Sequence, residues 1–299
     1  MEGVSVGGYR IDRMIGEGSF GHVHLAHSST GEPVAVKLEP VYGRHAQLKH
    51  EAALYEELSG GVGIPALHLW TVHGDYRCMV MDLLGPSLEE LFAECHHRFS
   101  LKTVLMIADQ VLQRTEYIHT KCFLHRDIKP HNFLLGRGPN QHLIHSIDFG
   151  LSKRYTKRVT ATRHRHISFS ENHSLVGTAR YASINAHLGW EQGRRDDLES
   201  VGYMLVYFFL GRLPWQGLKG ARTKKERSDG IAKMKRELTI AKLCDSCPSE
   251  FVAYFEYCRS LDFASTPDYP YLRQLFQDLF LRQGYVYDDS FDWTPRPGQ

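Results

Sequence analysis

The chain has 299 residues, 42% of them hydrophobic and 23% charged, enough to build more than one core and still solvate the outside. Its 36 basic and 34 acidic residues leave a formal charge of +2, so the molecule does not advertise a polyanionic partner, and no direct nucleic-acid binding is expected. The longest apolar stretch, Val201 to Leu210, is about half of what a bilayer demands, so no membrane insertion is expected.

The first residues, Met1 to Arg10, are glycine-rich and lack the apolar core of a secretory signal, and Glu2 stands where myristoylation needs glycine. From Tyr9 to about Met81 short alternating segments predominate. Gly16-Glu-Gly-Ser-Phe-Gly21 fits G-x-G-x-x-G, a spacing that lets backbone amides approach phosphate oxygens, though glycine turns are also common without any ligand. His22-Val-His-Leu-Ala26 alternates as a second strand, which makes the glycine run a hairpin rather than a strand-to-helix turn. Pro33-Val-Ala-Val-Lys-Leu38 is a third strand, with Val34, Val36 and Leu38 on one face and Ala35 and Lys37 on the other. A lysine on the inward face of a half-buried strand is costly unless charges meet it, and triphosphate oxygens and a helix carboxylate are the groups that suit.

A helix is expected over His45 to Leu58, where Leu48, Ala52, Tyr55 and Leu58 recur at helical spacing and Gly60-Gly61 ends the run. It offers Glu51, Glu56 and Glu57 as carboxylates for Lys37. After Asp82-Leu-Leu-Gly-Pro86 the pattern turns helical: Ser87 to Cys95, Ser100 to His119 with Ser100 as N-cap, and Asp197 to Leu210 with Gly211 as a stop. Loops are expected around 121 to 196 and 212 to 230, and further helices at about 248 to 260 and 269 to 282. Six cysteines without a secretory address point to reduced thiols in the cytoplasm or nucleus. The Cys244-x-x-Cys247 pair has no second cysteine pair and no strand before it, so neither a zinc site nor a redox site is expected there.

The residues richest in chemistry are His125-Arg-Asp-Ile-Lys-Pro-His-Asn132 and Asp148-Phe-Gly150. Taken in order after the glycine run and Val34-Ala-Val-Lys37, they resemble the protein kinases. The resemblance implies an α+β, two-lobed fold: a small antiparallel β-sheet lobe with one main helix over 9–81, a hinge over 82–86, a larger mainly α-helical lobe over 87–293 and a short tail over 294–299. It implies ATP and Mg²⁺ as cofactors. Asp127 then accepts or orients the substrate hydroxyl, and Lys129 neutralises the moving phosphoryl group, as in kinases acting on serine and threonine. Asn132 and Asp148 hold magnesium, and Lys37 is paired with Glu51. The same resemblance assigns Gly16, Gly18, Ser19 and Gly21 to the phosphates. It gives the adenine slot Ile15, Val23 and Ala35, with Leu134 as floor, Ile147, Met81 as back wall, and the backbone of Asp82 to Leu84 at the hinge.

Further motifs are more specific. Gly177-Thr-Ala-Arg-Tyr-Ala-Ser-Ile-Asn185 stands where most kinases carry Ala-Pro-Glu, and it is similar to the casein kinase 1 family. Leu84-Gly-Pro-Ser-Leu-Glu89, Arg194-Arg-Asp-Asp-Leu-Glu-Ser200, Leu213-Pro-Trp-Gln-Gly-Leu-Lys219, Asp268-Tyr-Pro-Tyr-Leu-Arg273 and Phe291-Asp-Trp293 resemble the same family. Two departures stand out: His131 replaces an aspartate, and the basic segment 157 to 166 is slightly longer than usual. The resemblance implies acidic or phosphoprimed protein substrates, a monomer, and an activation segment ordered without phosphate. An anion pocket would comprise Arg180, Gln216, Gly217 and Arg227, with Lys224 and Lys225 as alternatives to Arg227. The run from Lys153 to His166 reads either as a solvated loop or as a surface for an acidic partner. The rival readings are a pseudokinase scaffold and a kinase of the vaccinia-related or tau-tubulin branch. A nucleotide-dependent oxidoreductase would need an acidic residue where the chain has Lys37.

Overall fold

A computed structural model describes residues 2–18, 21–42, 47–160, 164–218, 220 and 222–295, and divides into two compact units, Met1–Pro86 with Leu134–Gly150 and Ser87–Phe133 with Leu151–Gln299. Among the described residues no helix is long and apolar enough to cross a membrane.

The first unit is built on an antiparallel sheet of β1 (Ser5–Val6), β2 (Tyr9–Gly18), β3 (Gly21–His27), β4 (Pro33–Pro40), β5 (Leu67–His73) and β6 (Tyr76–Asp82), in the order β1-β2-β3-β4-β6-β5. The period-two pattern of β4 works as expected: Val34, Val36 and Leu38 join Val6, Ile11, Ala26, Cys78 and Val80 in one apolar cluster, which leaves Ala35 and Lys37 for the opposite face. Helix α1 (Gln47–Glu57) lies within the expected span, whose residues 45 and 46 are outside the described ones. Its first amides, of Gln47 and Leu48, donate to the buried Glu39 of β4 at 2.9 and 3.2 Å, so a strand carboxylate does the work of an N-cap.

Gly21 has a packing reason to be glycine. A Cβ there would meet the Leu38 carbonyl oxygen at 1.9 Å. The returning segment carries β9 (Ile144–Ser146), paired with β8 (Phe133–Leu135), where the chain passes from one unit to the other.

The second unit is mainly helical: α2 (Leu88–Glu94), α3 (Leu101–Thr120), α4 (Ile184–His187), α5 (Arg194–Leu210), α6 (Lys224–Glu237), α7 (Ile240–Leu243), α8 (Ser249–Ser260) and α9 (Tyr269–Arg282). Ser87 and Ser100 cap α2 and α3 through their hydroxyls, and Gly211 ends α5 in the left-handed region at φ 84°. The core runs along α3 and α5, with α8 and α9 packed against them and Phe92, Phe99 and Phe208 stacked edge to face or tilted. Together the sheet unit and the helical unit make the expected α+β architecture.

Two expectations need correction. The stretch 212 to 230 is not all loop, because α6 begins at Lys224, where the Thr223 hydroxyl accepts the Glu226 amide. Of that helix only Ile231 and Lys235 are buried, so it lacks the apolar stripe that periodicity detects. The stretch 121 to 196 also holds ordered elements: β7 (Phe123–Leu124) paired with β10 (Lys153–Arg154), β11 (Thr156–Arg158) paired with β12 (His164–His166), and α4. Each is four residues or fewer, too short for a period to be read.

Candidate active site

In the first unit the Lys37 side chain, buried on β4, donates to both oxygens of Glu51 at 3.0 and 2.7 Å and to Asp148 Oδ1 at 3.3 Å. Burial opposes the lysine's charge, but Glu51 and Asp148 outweigh it and push its pKa up to about 12. Glu51 is 2% exposed, whereas Glu56 and Glu57 on the same helix are exposed, so the structure selects the first of the three. Asp148 takes a left-handed backbone, φ 63°, uncommon for a residue with a side chain and frequent at functional sites.

Tyr55 helps to hold that conformation. Its oxygen accepts the Asp148 amide at 3.2 Å, and its ring meets Phe149 edge to face at 4.9 Å. The sequence marked Tyr55 only as core. Its place four residues after Glu51, hence on the same helix face, was the available signal.

The residues assigned to the nucleotide also lie on this unit. Gly16 pairs with Val23 and Val23 with Lys37 across β2, β3 and β4, while Ala35 pairs with Met81, both buried. Gly18 ends β2, Ile15 is 40% exposed, and Leu134 and Ile147 are half-buried. Ser19 lies outside the described residues. The Asp82 carboxylate is engaged by the Ala66 amide and His68, each at 2.8 Å, and its own amide donates to Ala66. The backbone N–H and C=O of Leu84 have no hydrogen-bond partner among the described residues.

In the second unit the loop after β7 is fixed from below by Asp197 of α5. Its carboxylate accepts the amides of His125 and Arg126 at 2.7 and 2.8 Å and also meets His119 at 2.9 Å. Burial works against its charge, yet these donors hold the carboxyl below its ordinary range. Arg126, at φ 65°, turns the loop and presents Asp127. Asp127 Oδ1 accepts the amide and hydroxyl of Thr178 at 2.9 and 2.7 Å; Oδ2 accepts Lys129 Nζ at 2.6 Å. Gly177 must be glycine: at φ 98°, a Cβ would lie 2.3 Å from the Arg126 carbonyl oxygen. The Asn132 amide nitrogen donates to the Asp127 carbonyl at 2.9 Å and to its Oδ2 at 3.4 Å, leaving the Asn132 side-chain oxygen free of any partner among the described residues. His131 is exposed.

The stretch that replaces Ala-Pro-Glu is held by hydrogen bonds. Asp196 accepts from the Ser183 hydroxyl at 2.6 Å, the Asn185 amide at 3.1 Å and the Gly193 amide at 2.7 Å. The last of these closes the first turn of α5, which is why that helix starts at Arg194 rather than Asp197.

Lys235, 1% exposed on α6, donates to the carbonyls of Ala179 and Ala182 at 3.0 and 2.6 Å and sits 4.4 and 4.8 Å from the ring centres of Tyr203 and Trp215. Trp215 Nε1 donates to the carbonyl of Arg180 itself at 2.8 Å. The Arg180 guanidinium lies 5.7 Å from the ring centres of both Tyr181 and Tyr207. The Gln216 oxygen is engaged by the Leu213 amide at 2.6 Å, and Gly217 sits at φ 75°. Arg227, Lys224 and Lys225 are exposed on the first turns of α6. Lys235 went unrecognised in the sequence, and Trp215 entered only as part of the run Leu213 to Lys219, with no role of its own.

Residues 9–266 match the family model described as the protein kinase domain.

Proposed function

The chain belongs to the protein kinase family, and we propose that it is a serine/threonine kinase of casein kinase 1 type, transferring the γ-phosphoryl group of ATP to hydroxyls of acidic or phosphoprimed proteins with Mg²⁺. The observation that carries this reading is the arrangement around Asp127, with one carboxylate oxygen engaged by Thr178 and the other beside Lys129. Phosphoryl transfer asks little covalent chemistry of the protein and much positioning of charge.

On this reading Thr178 fixes the rotation of the Asp127 carboxylate, so that Oδ2 orients the incoming hydroxyl and takes its proton. Lys129 stands at that oxygen and offsets charge on the moving group. Lys37, kept charged and in place by Glu51, meets the triphosphate. Asn132, whose amide nitrogen is engaged with Asp127, offers its oxygen, and Asp148 offers a carboxylate. These are the hard oxygen donors magnesium takes. When bound, the metal neutralises charge on the phosphate oxygens.

Arg180, with its backbone clamped on both sides, supports a preference for an anion in the substrate. The family resemblance favours a phosphate or carboxylate three residues before the target. Six free thiols suit a reducing compartment, the cytoplasm or nucleus. The test is transfer of radiolabelled phosphate to two peptides that differ only in phosphoserine or serine at that position, using the wild type and Asp127→Asn. The reading requires faster labelling of the primed peptide and its loss in the variant. Labelling that survives Asp127→Asn, or that goes to tyrosine alone, removes it.

A further inference from the structure

Away from the kinase chemistry, α7 ends and α8 begins around two cysteines that phosphoryl transfer does not use. Cys244 is the residue that closes α7, its amide donating to Ile240, and Cys247 directly precedes Pro248, the N-cap of α8. The Cys247 amide donates to the Cys244 carbonyl at 2.8 Å and so closes a four-residue turn. Such a turn holds its end Cα atoms within about 7 Å, and a disulfide spans about 4.4–6.8 Å. The two thiols interact across this turn, which sets their acidities apart. Cys244 is 2% exposed, whereas Cys247 is partly open to solvent.

We propose that Cys244 and Cys247 form a redox-active dithiol that closes to an intramolecular disulfide by exchange with a low-molecular-weight disulfide such as oxidised glutathione. The interaction of the two thiols, joined by the nearby Arg259 charge, lowers the Cys244 pKa and raises that of Cys247. When the Cys247 proton passes to the Cys244 thiolate, the more accessible Cys247 becomes the attacking thiolate. Its sulfur attacks one sulfur of the small disulfide, that S–S bond breaks, and one small thiolate departs and takes up a proton. Cys244 then loses its proton and attacks the Cys247 sulfur, expelling the second small thiol. Two protein thiols are oxidised and one disulfide is reduced to two thiols.

The test uses the full chain, folded, in oxidised glutathione, followed by an acid quench, alkylation under denaturing conditions and mass spectrometry. The expected product has lost two hydrogens, carries no alkyl group on Cys244 or Cys247, and reverts with dithiothreitol. Cys244→Ser is expected to stop at a glutathione adduct on Cys247. A wild type that retains glutathione on Cys247, or in which both cysteines are alkylated after the treatment, overturns the proposal. The wild-type readout stands whether or not the variant folds.

Discussion

Thr178 grips a single oxygen of Asp127 twice, through its amide at 2.9 Å and its hydroxyl at 2.7 Å. The grip joins the segment after Gly177 to the loop that carries the carboxylate, so the order of one depends on the other. Replacing Thr178 with valine keeps the shape and the amide bond and removes only the hydroxyl. A hydrogen bond to a carboxylate is worth about 1.5–3 kcal/mol, so kcat is expected to fall by about 10- to 100-fold. KM for ATP should hold, and Thr178→Ser should restore most of the rate. Steady-state kinetics on a peptide check this; Thr178→Val turning over like the wild type would deny the residue its role.

Lys37→Met should abolish turnover and also weaken the fold. Glu51 and Asp148 would then share a site without their counter-charge, which costs about 3–5 kcal/mol for a buried pair broken on one side. Burial already pushes the Glu51 carboxyl above its usual range, and Lys37 is the group that opposes it. In the variant the folded-state pKa of Glu51 exceeds its unfolded value, so the loss should shrink as pH falls and the group takes up a proton. In the wild type the lysine's contribution is present below its unfolded value and is lost as pH rises toward about 12. Urea melts at several pH values measure both. A Lys37→Met deficit that does not vary with pH would contradict this account of Glu51.

Much of this was legible before any coordinates. Lys37, Asp127, Asn132 and Asp148 stand in the short runs that carry the resemblance to protein kinases. The faces of β4 followed from strict alternation, and Ser100 capped its helix because a hydroxyl at that position has few better uses. What escaped depends on partners distant in sequence. Nothing local says that Glu39 caps α1 or that Lys235 is buried. Helix α6 escaped because its burial is too sparse to leave a stripe. Gly21 was read for the phosphates, and the structure adds a steric demand from Leu38 that no glycine pattern reveals.

Lys235 is a case where position matters more than charge. Burial drives its pKa well down, and its partners are two carbonyls and two aromatic faces, with no carboxylate in ion-pair contact among the described residues. Lys235→Met fills similar space but leaves the carbonyl of Ala182 unpaired and that of Ala179 with His187 alone, a loss of about 1–3 kcal/mol for the one orphaned acceptor. Because those carbonyls flank Arg180, KM for a phosphoprimed peptide should rise several-fold while KM for ATP stays put. Calorimetry and kinetics on the two substrates separate these effects. A variant with unaltered peptide KM would confine Lys235 to stability.

The same clamp has a pH signature with two opposing parts. His187 approaches the Ala179 carbonyl at 3.0 Å through Nε2, and burial, reinforced by Lys235, lowers its pKa from 6.5 to about 4. The unfolded chain therefore binds the extra proton first, and the stability this ring contributes above its unfolded value is lost as pH falls from about 6.5 to 4. Asp196 runs the other way: burial raises its pKa from 3.8 to about 6, so the folded form holds the proton longer and stability declines as pH rises across that interval. The two slopes should largely cancel in the wild type between about pH 4 and 6. His187→Gln keeps a donor for Ala179 and removes the titration, exposing the Asp196 slope alone. Allowing for the ring's partial exposure, the cost of that substitution should be about 2 kcal/mol larger at pH 7 than at pH 4.5. Urea denaturation of the two proteins at both pH values gives the difference directly, and an equal cost at each would mean that the proton on His187 is not excluded by the fold.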